Sequence, residues 1–325
     1  MKNLICTIFN VEHGLCVFIK SPNGYGLLVD CGSREKFSPI KWIRGKYNVN
    51  TPGFKYFKGR QYAEMIVSHL HNDHFSDIGS FKNTNDKPKT LSRDKKTLKF
   101  LEEKINEAKE DGDEKKVENI QKFLDFSESY TQDVDTAPDW GFEYFNRYQL
   151  PYNRAESVNS DREHIINNRS YILSIKYAGK KILIPGDIEV EGWDEALSDK
   201  KLQNLLSGTN FFFASHHGHK SGFTKKILDY SGIPDIYILS VRSKDESVDT
   251  AYGNSKNSNG FLIDGDSKKS HQVSTQRDGG RSMTITIKEN GDSSIKLIQA
   301  EDNLNENQRH IRKRRTKRAT SHWQK

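Results

Sequence analysis

The chain has 325 residues, 34% hydrophobic and 29% charged, against a globular norm of roughly 45–50% apolar, so polar insertions or tails must dilute its core. Its net charge of +7 is a property of the C-terminus: residues 309–325 hold eight Lys or Arg and no acid, which leaves 1–308 near neutral. No apolar run approaches the ~20 residues that span a bilayer, the N-terminus turns polar too early for a signal peptide, and Cys6, Cys16 and Cys31 form neither a disulfide framework nor a paired zinc pattern, so a cytoplasmic protein without a membrane partner is expected.

In chain order, 3–9, 15–20 and 24–30 read as strands: short, apolar or β-branched, and separated by Gly, Asn or Pro. Residues 62–70 read as a further strand that ends in a histidine cluster. Over 82–130 the pattern changes. Leu98, Leu101, Ile105 and Ala108, then Ile120, Phe123 and Leu124, recur at helical spacing on either side of Asp111-Gly112-Asp113. That spacing predicts a charged helical hairpin, an insertion over 82–135 standing on the surface and open to a protein partner. Strands are predicted again at 141–150, 170–176, 181–184, 210–214, 236–241 and 282–288, the last turning through 289–292 into 293–299. Helices are predicted at 190–206 and 222–230, and a long polar loop over 242–270. The domain is expected to span 1–300, followed by a basic, disordered tail over 301–325.

The strongest chemical signal is His69-Leu70-His71-Asn72-Asp73-His74, directly after a strand. His69 and His71, two apart in extended backbone, project to the same side. Asp73 and His74 follow as the chain turns and can face a second metal ion. Imidazole plus carboxylate suits Zn, Mn or Fe better than Ca or Mg; the plainer reading is a solvated polar loop. Further on, 182–187 is a strand ending in Gly186-Asp187, which puts a carboxylate at a sheet edge where it can bridge two ions, although Gly-Asp alone is ordinarily a turn. Residues 211–214 then run into Ser215-His216-His217-Gly218-His219-Lys220, so another apolar strand delivers histidines at its end.

Strand–HxHxDH, strand–GD and strand–HHG in this order resemble the metallo-β-lactamase superfamily, and within it the soluble hydrolase domain of ComEC-type competence proteins and their free-standing relatives. The likeness covers about 1–298. It includes the Gly-turn, strand and Asp-x-Gly opening of 9–33, the Asn167-Asn168-Arg169-Ser170 approach to the strand before Gly-Asp, and the closing strands in 236–241 and 274–287. The resemblance implies an α/β, four-layer αββα sandwich with two divalent metal ions, Zn or Mn, at one edge. Asp187 would bridge them, and His69, His71, Asp73, His74 and one of His216 and His217 would fill the other positions. Asp30 and Asn168 would orient these groups from behind. The chain departs from the group at Leu15, usually polar or acidic there, and at His219, usually Ser. Where most superfamily hydrolases supply another histidine it offers Asn167 and Asn168, with His164 nearby as a loop histidine. His13 lies in a Gly turn that could approach the site, and reads first as a turn residue.

Two ions roughly 3.5–4 Å apart can clamp a phosphodiester and generate hydroxide from bound water near neutral pH. Asp73 sits among the groups that would do so, and His219 and Lys220 lie just beyond, suited to stabilise a leaving oxygen or donate a proton. The expected function is a phosphodiesterase or nuclease acting on nucleic acid or a nucleotide. The basic tail, with Arg312, Lys313, Arg314, Arg315, Lys317 and Arg318, would add nonspecific phosphate binding. Fold does not choose among hydrolytic substrates, so a lactone or ester hydrolase is the alternative, and a weakly active accessory subunit docking through 82–130 is the third reading.

Overall fold

A computed structural model describes residues 2–130, 137–242 and 248–300; the basic tail and 131–136, at the end of the expected insertion, lie outside the described residues. Strands β1 (Leu4–Ile8), β2 (Val17–Lys20) and β3 (Gly26–Val29) form an antiparallel meander. Helix α1 (Pro39–Lys46) follows; Ser38 caps it by accepting from the Lys41 amide, and Pro39 occupies its first turn. β4 (Tyr62–Ile66) and β5 (Thr90–Ser92) then add in parallel. After α2 (Lys99–Glu110) and α3 (Glu114–Glu128) the chain begins a second sheet with β6 (Tyr144–Tyr148), α4 (Tyr152–Val158), α5 (Arg162–Asn168), β7 (Ile172–Tyr177) and β8 (Lys180–Ile184). Next come α6 (Val190–Ala196), α7 (Lys200–Leu206), β9 (Phe211–Phe213), α8 (Lys226–Ser231), β10 (Ile236–Leu239) and β11 (Gln272–Ser274). The chain finally returns to the first sheet with the hairpin β12 (Ser282–Ile287) and β13 (Ser293–Ile298). The sheet orders are β13-β12-β1-β2-β3-β4-β5 and β11-β10-β9-β8-β7-β6.

Three apolar seams turn these sheets into four layers. Leu4, Cys6, Ile8, Val17, Ile19, Leu27 and Val29 of the first sheet meet Leu173, Ile175, Ile182, Ile184, Phe211 and Phe213 of the second. The alternate residues point outward: Phe18, Leu28 and Met65 under Ile40, Trp42 and Ile43 of α1 and Phe123 of α3, and Leu183, Phe212 and Tyr237 under Trp193, Leu202 and Leu206 of α6 and α7. Strands buried on both faces explain why their sequences read as continuous apolar runs instead of alternating ones. The result is the αββα sandwich.

Three expectations need correction. The α2–α3 hairpin does not stand on the surface. Leu101, Ile120, Phe123 and Phe126 are buried in the same seam as Phe18 and Met65, because the outer face of β2–β4 is apolar and has to be covered; only the outward residues such as Glu102, Glu103 and Glu107 are exposed. The single helix expected at 190–206 is two, since Asp199 accepts from the Lys201 amide and starts α7 anew. The helix expected at 222–230 is α8, displaced toward the C-terminus. No helix among the described residues is long and apolar enough to cross a membrane.

Candidate metal centre

The chemistry-bearing residues collect where β3, β4, β8 and β9 run out. At the end of β3, Asp30 turns into a left-handed conformation at φ 56°. Its carboxylate accepts from the Ser68 amide at 2.6 Å, the Ser68 hydroxyl at 2.7 Å and His74 Nδ1 at 2.8 Å. Because Nδ1–H donates there, the Nε2 lone pair of His74 faces away from Asp30, into the site. Burial pushes the Asp30 carboxyl up, and His74 and Ser68 pull it back part of the way. A short 3-10 turn, Asn72–His74, swings Asp73 and His74 around after His71. That turn is gripped from outside: a Cβ on Gly14 (φ +111°) would lie 2.2 Å from the Asp73 carbonyl oxygen, and one on Gly32 would lie 2.3 Å from it.

From the second sheet, Gly186 (φ +63°) lets the chain pass Ser170, whose hydroxyl accepts from the Asp187 amide at 2.9 Å. After β9, His216 and His217 adopt φ of 49° and 55°, a left-handed pair that costs roughly 1–2 kcal/mol per residue for non-glycine side chains. The turn aims them apart. His217 donates Nδ1–H to the Ser240 carbonyl at 3.1 Å, leaving Nε2 toward the site. His216 Nδ1 instead lies 2.8 Å from the Ser221 hydroxyl and 3.4 Å from Glu189. Of the two histidines that the sequence left open, His217 is the one that the fold delivers.

Four atoms then form a cage. His74 Nε2 lies 3.3 Å from His217 Nε2, 3.5 Å from Asp187 Oδ2 and 3.6 Å from Asp73 Oδ2. His217 Nε2 lies 3.1 Å from Asp187 Oδ2 and 3.5 Å from Asp73 Oδ2. Two N or O donors about 2.1 Å from one ion stand about 3.4 Å apart, so each of these pairs could share a divalent transition-metal ion. A second donor set shares Asp187: His69 Nε2 lies 3.8 Å from its Oδ2 and 3.1 Å from His71 Nδ1, while His71 Nε2 bonds Glu163 at 2.8 Å. Imidazoles and carboxylates in these numbers are a borderline donor set, fit for divalent transition metals.

Without an ion, protons hold the cluster together. Burial opposes charge on His217, yet Asp187 and Asp73 raise it to about 10. His74 is raised against burial by Asp187, Asp30 and Asp73. Asp187 is held well below the ordinary carboxylate range, burial notwithstanding, by His217, His74 and His69, and Asp73 is lowered likewise by His74 and His217. Burial and the neighbouring His74 lower His69.

Of the other sequence candidates, Asn168 stands behind the site: its buried Oδ1 accepts from the Glu189 amide at 2.9 Å, steadying the segment after Asp187. His219 Nδ1 lies 2.9 Å from the Ser221 hydroxyl, which it shares with His216, and Lys220 is exposed on the same loop; neither is brought into the cage. His164 sits on α5 rather than in a loop, and its Nδ1 bonds Glu189. His13, read first as a turn residue, joins the site, and Glu189, Glu163 and Lys104 escaped the sequence reading as parts of it. His13 Nε2 lies 3.6 Å from Asp73 Oδ2, and its ring is 4.8 Å from that of His217. Glu189 accepts from Asn167 Nδ2 at 3.1 Å. Glu163 and its partner Lys104 stand behind His71. The Gly turn at His13 was a signal for the first; the others lie far in sequence from what they touch.

Fold and donor set together define the class: an αββα sandwich carrying side chains for divalent metal ions at one edge of its two sheets. The chain belongs to the metallo-β-lactamase superfamily, whose family model matches residues 10–228, a span that takes in all three strand-end motifs. Among solved structures it is similar to the hydrolase AbOPH in the β-lactamase superfamily, at 14% identity with a TM-score of 0.31; the match covers 53% of this chain and 55% of that one, just over half the length of each. No curated protein matches.

Proposed function

We propose that this chain is a metal-dependent phosphodiesterase or nuclease that works with two divalent ions, Zn or Mn, and that within its superfamily it stands nearest the ComEC-type hydrolase domain. The observation that carries the metal reading is the cage of His74, His217, Asp73 and Asp187, with Asp187 common to it and to the His69–His71 pair. When bound, such a pair of ions supplies an activated water at neutral pH and neutralises charge on phosphoryl oxygens.

The chain's own residues prepare that chemistry. Asp30, Glu163 and the Ser240 carbonyl each take one ring N–H of His74, His71 and His217, fixing the tautomer so that the other nitrogen faces inward. His13, half exposed above Asp73 and His217, stands on the open side, where an incoming substrate would meet it. His219 and Lys220, on the turn just after His217 in the chain, carry further groups of the kind that can donate to a leaving oxygen. The eight cations of residues 309–325 favour a polyanionic substrate over a neutral ester.

The test is turnover of bis-p-nitrophenyl phosphate and of single-stranded DNA and RNA, beside a lactone and ester panel, by protein reconstituted with Zn or Mn. Phosphodiester cleavage that a chelator abolishes is expected. Lactone turnover with no phosphodiester turnover would replace this reading with the ester-hydrolase one. A stable partner captured on the α2–α3 hairpin, with no turnover under either metal, would replace it with the accessory-subunit one.

A further inference from the structure

The two halves of the site are braced by different parts of the molecule. His74 leans on Asp30 and His217 on the Ser240 carbonyl, groups at the ends of sheet strands. His71 leans on Glu163 of α5 at 2.8 Å, and Glu163 in turn is held from the hairpin. Lys104 Nζ of α2 lies 2.8 Å from Glu163 Oε1 and 2.5 Å from Oε2. Arg162 touches the same carboxylate at 3.1 and 3.2 Å, and it reaches Glu103 at 3.0 Å and Glu107 at 2.7 Å on α2. The first turn of α5 is thus clasped to α2, and Asp161 fixes the Glu163 amide at 2.9 Å.

We infer that Glu163 and Lys104 are positioning residues for the ion shared by His69, His71 and Asp187, so that the α2–α3 hairpin governs how firmly that position is filled. The inference rests on the metal-centre reading above, not on the choice of substrate. Lys104 is 7% exposed, and a buried ammonium requires a counter-charge; Glu163 supplies it. The Glu163 side chain is itself 45% exposed, and Arg162 bonds its Oε1, so without Lys104 the Oε2 that meets His71 would be the oxygen free to turn to water. Held in place, it accepts from His71 Nε2–H and leaves the lone pair on Nδ1. That nitrogen lies 3.1 Å from His69 Nε2, a separation that two lone pairs tolerate only with a cation or proton between them. An acceptor behind a ligating imidazole fixes ring orientation and raises basicity, and its loss commonly weakens metal affinity by roughly 10–100-fold.

The experiment titrates Zn into the full-length metal-free chain against a competing chelator, and Co(II) with absorption detection, in wild type, Lys104→Met, Glu163→Ala, the double variant and Lys104→Arg. In the single variants one of two binding steps should weaken by roughly 10–100-fold while the other holds. The double variant should match Glu163→Ala, because Lys104 acts through Glu163, and Lys104→Arg should restore wild-type affinity. Two unchanged steps in the variants overturn the inference alone. Equal weakening of both steps, with a lowered melting temperature of the metal-free chain, overturns it in favour of a merely structural clasp. A wild-type chain that takes up no metal overturns both it and the metal-centre reading.

Discussion

Asp187 is the residue on which both donor sets depend, with His69, His74 and His217 all within 3.1–3.8 Å of its Oδ2. Asp187→Ala should therefore cost both ions and all turnover, while β8 before it stays packed and the far-ultraviolet spectrum unchanged; retention of two ions by elemental analysis would show that Gly-Asp is only a turn here. The histidine pair gives a sharper contrast. His217→Ala should empty the cage, whereas His216→Ala, whose ring faces Ser221 and Glu189, should keep both ions; metal counts that fall alike would contradict the placement. The candidate donors were legible in the sequence because each strand-end motif, 69–74, 186–187 and 216–217, is a short contiguous run that follows an apolar strand. The choice within His216-His217 was not, since it depends on a left-handed pair and on the Ser240 carbonyl 23 residues away. Glu163 was illegible for the same reason, lying 92 residues from His71.

At the scale of elements, the hairpin is where sequence and structure part. Its periodicity gave two helices about Asp111-Gly112-Asp113, but charge density could not say that the apolar stripe lies over β2–β4. Phe123 is wholly buried and stacks on Phe75 at 4.4 Å, next to His74 in the chain. Phe123→Ala should cost about 3–5 kcal/mol, transfer and cavity terms combined, read as a lower denaturant midpoint at unchanged slope. Replacing 92–128 by a short Gly-Ser linker should expose the outer seam of the first sheet and give aggregate by light scattering; a soluble core loaded with two ions would instead make the hairpin dispensable. The sheets were legible because buried strands are short apolar runs bounded by turn residues. The short helices α1, α4 and α5 were not, since seven or eight residues hold too few turns for periodicity to stand out, and the Ser38-Pro39 start of α1 and the Asp161 cap of α5 were isolated local signals.

For the whole molecule, charge is divided between a proton-stabilised centre and a basic tail, and each half makes its own prediction. In the metal-free chain His217 is raised to about 10, so it holds a second proton at pH 7; His74 is raised too, and the stability that their pairs with Asp187 contribute is lost as pH climbs through those raised values. Ions must displace these protons. Zn loading at pH 7 should then release protons, seen as a dependence of binding heat on buffer ionisation enthalpy, and affinity should fall as the pH is lowered; a buffer-independent heat would mean neutral imidazoles. The tail is expected to act on substrate instead. Its eight cations stand in 17 residues without an acid, beside a near-neutral body, so on the nuclease reading it would supply most of the long-range attraction for a phosphate backbone. Each phosphate neutralised on a single strand contributes about −0.7 to the slope of log affinity against log salt, so deleting 309–325 should flatten that slope by roughly 2–3 units if half the cations engage. Turnover of a small chromogenic diester should stay unchanged, because every donor of the cage lies in the body. An unaltered slope after truncation would remove the tail as support for a nuclease and shift the weight toward small nucleotides or lactones.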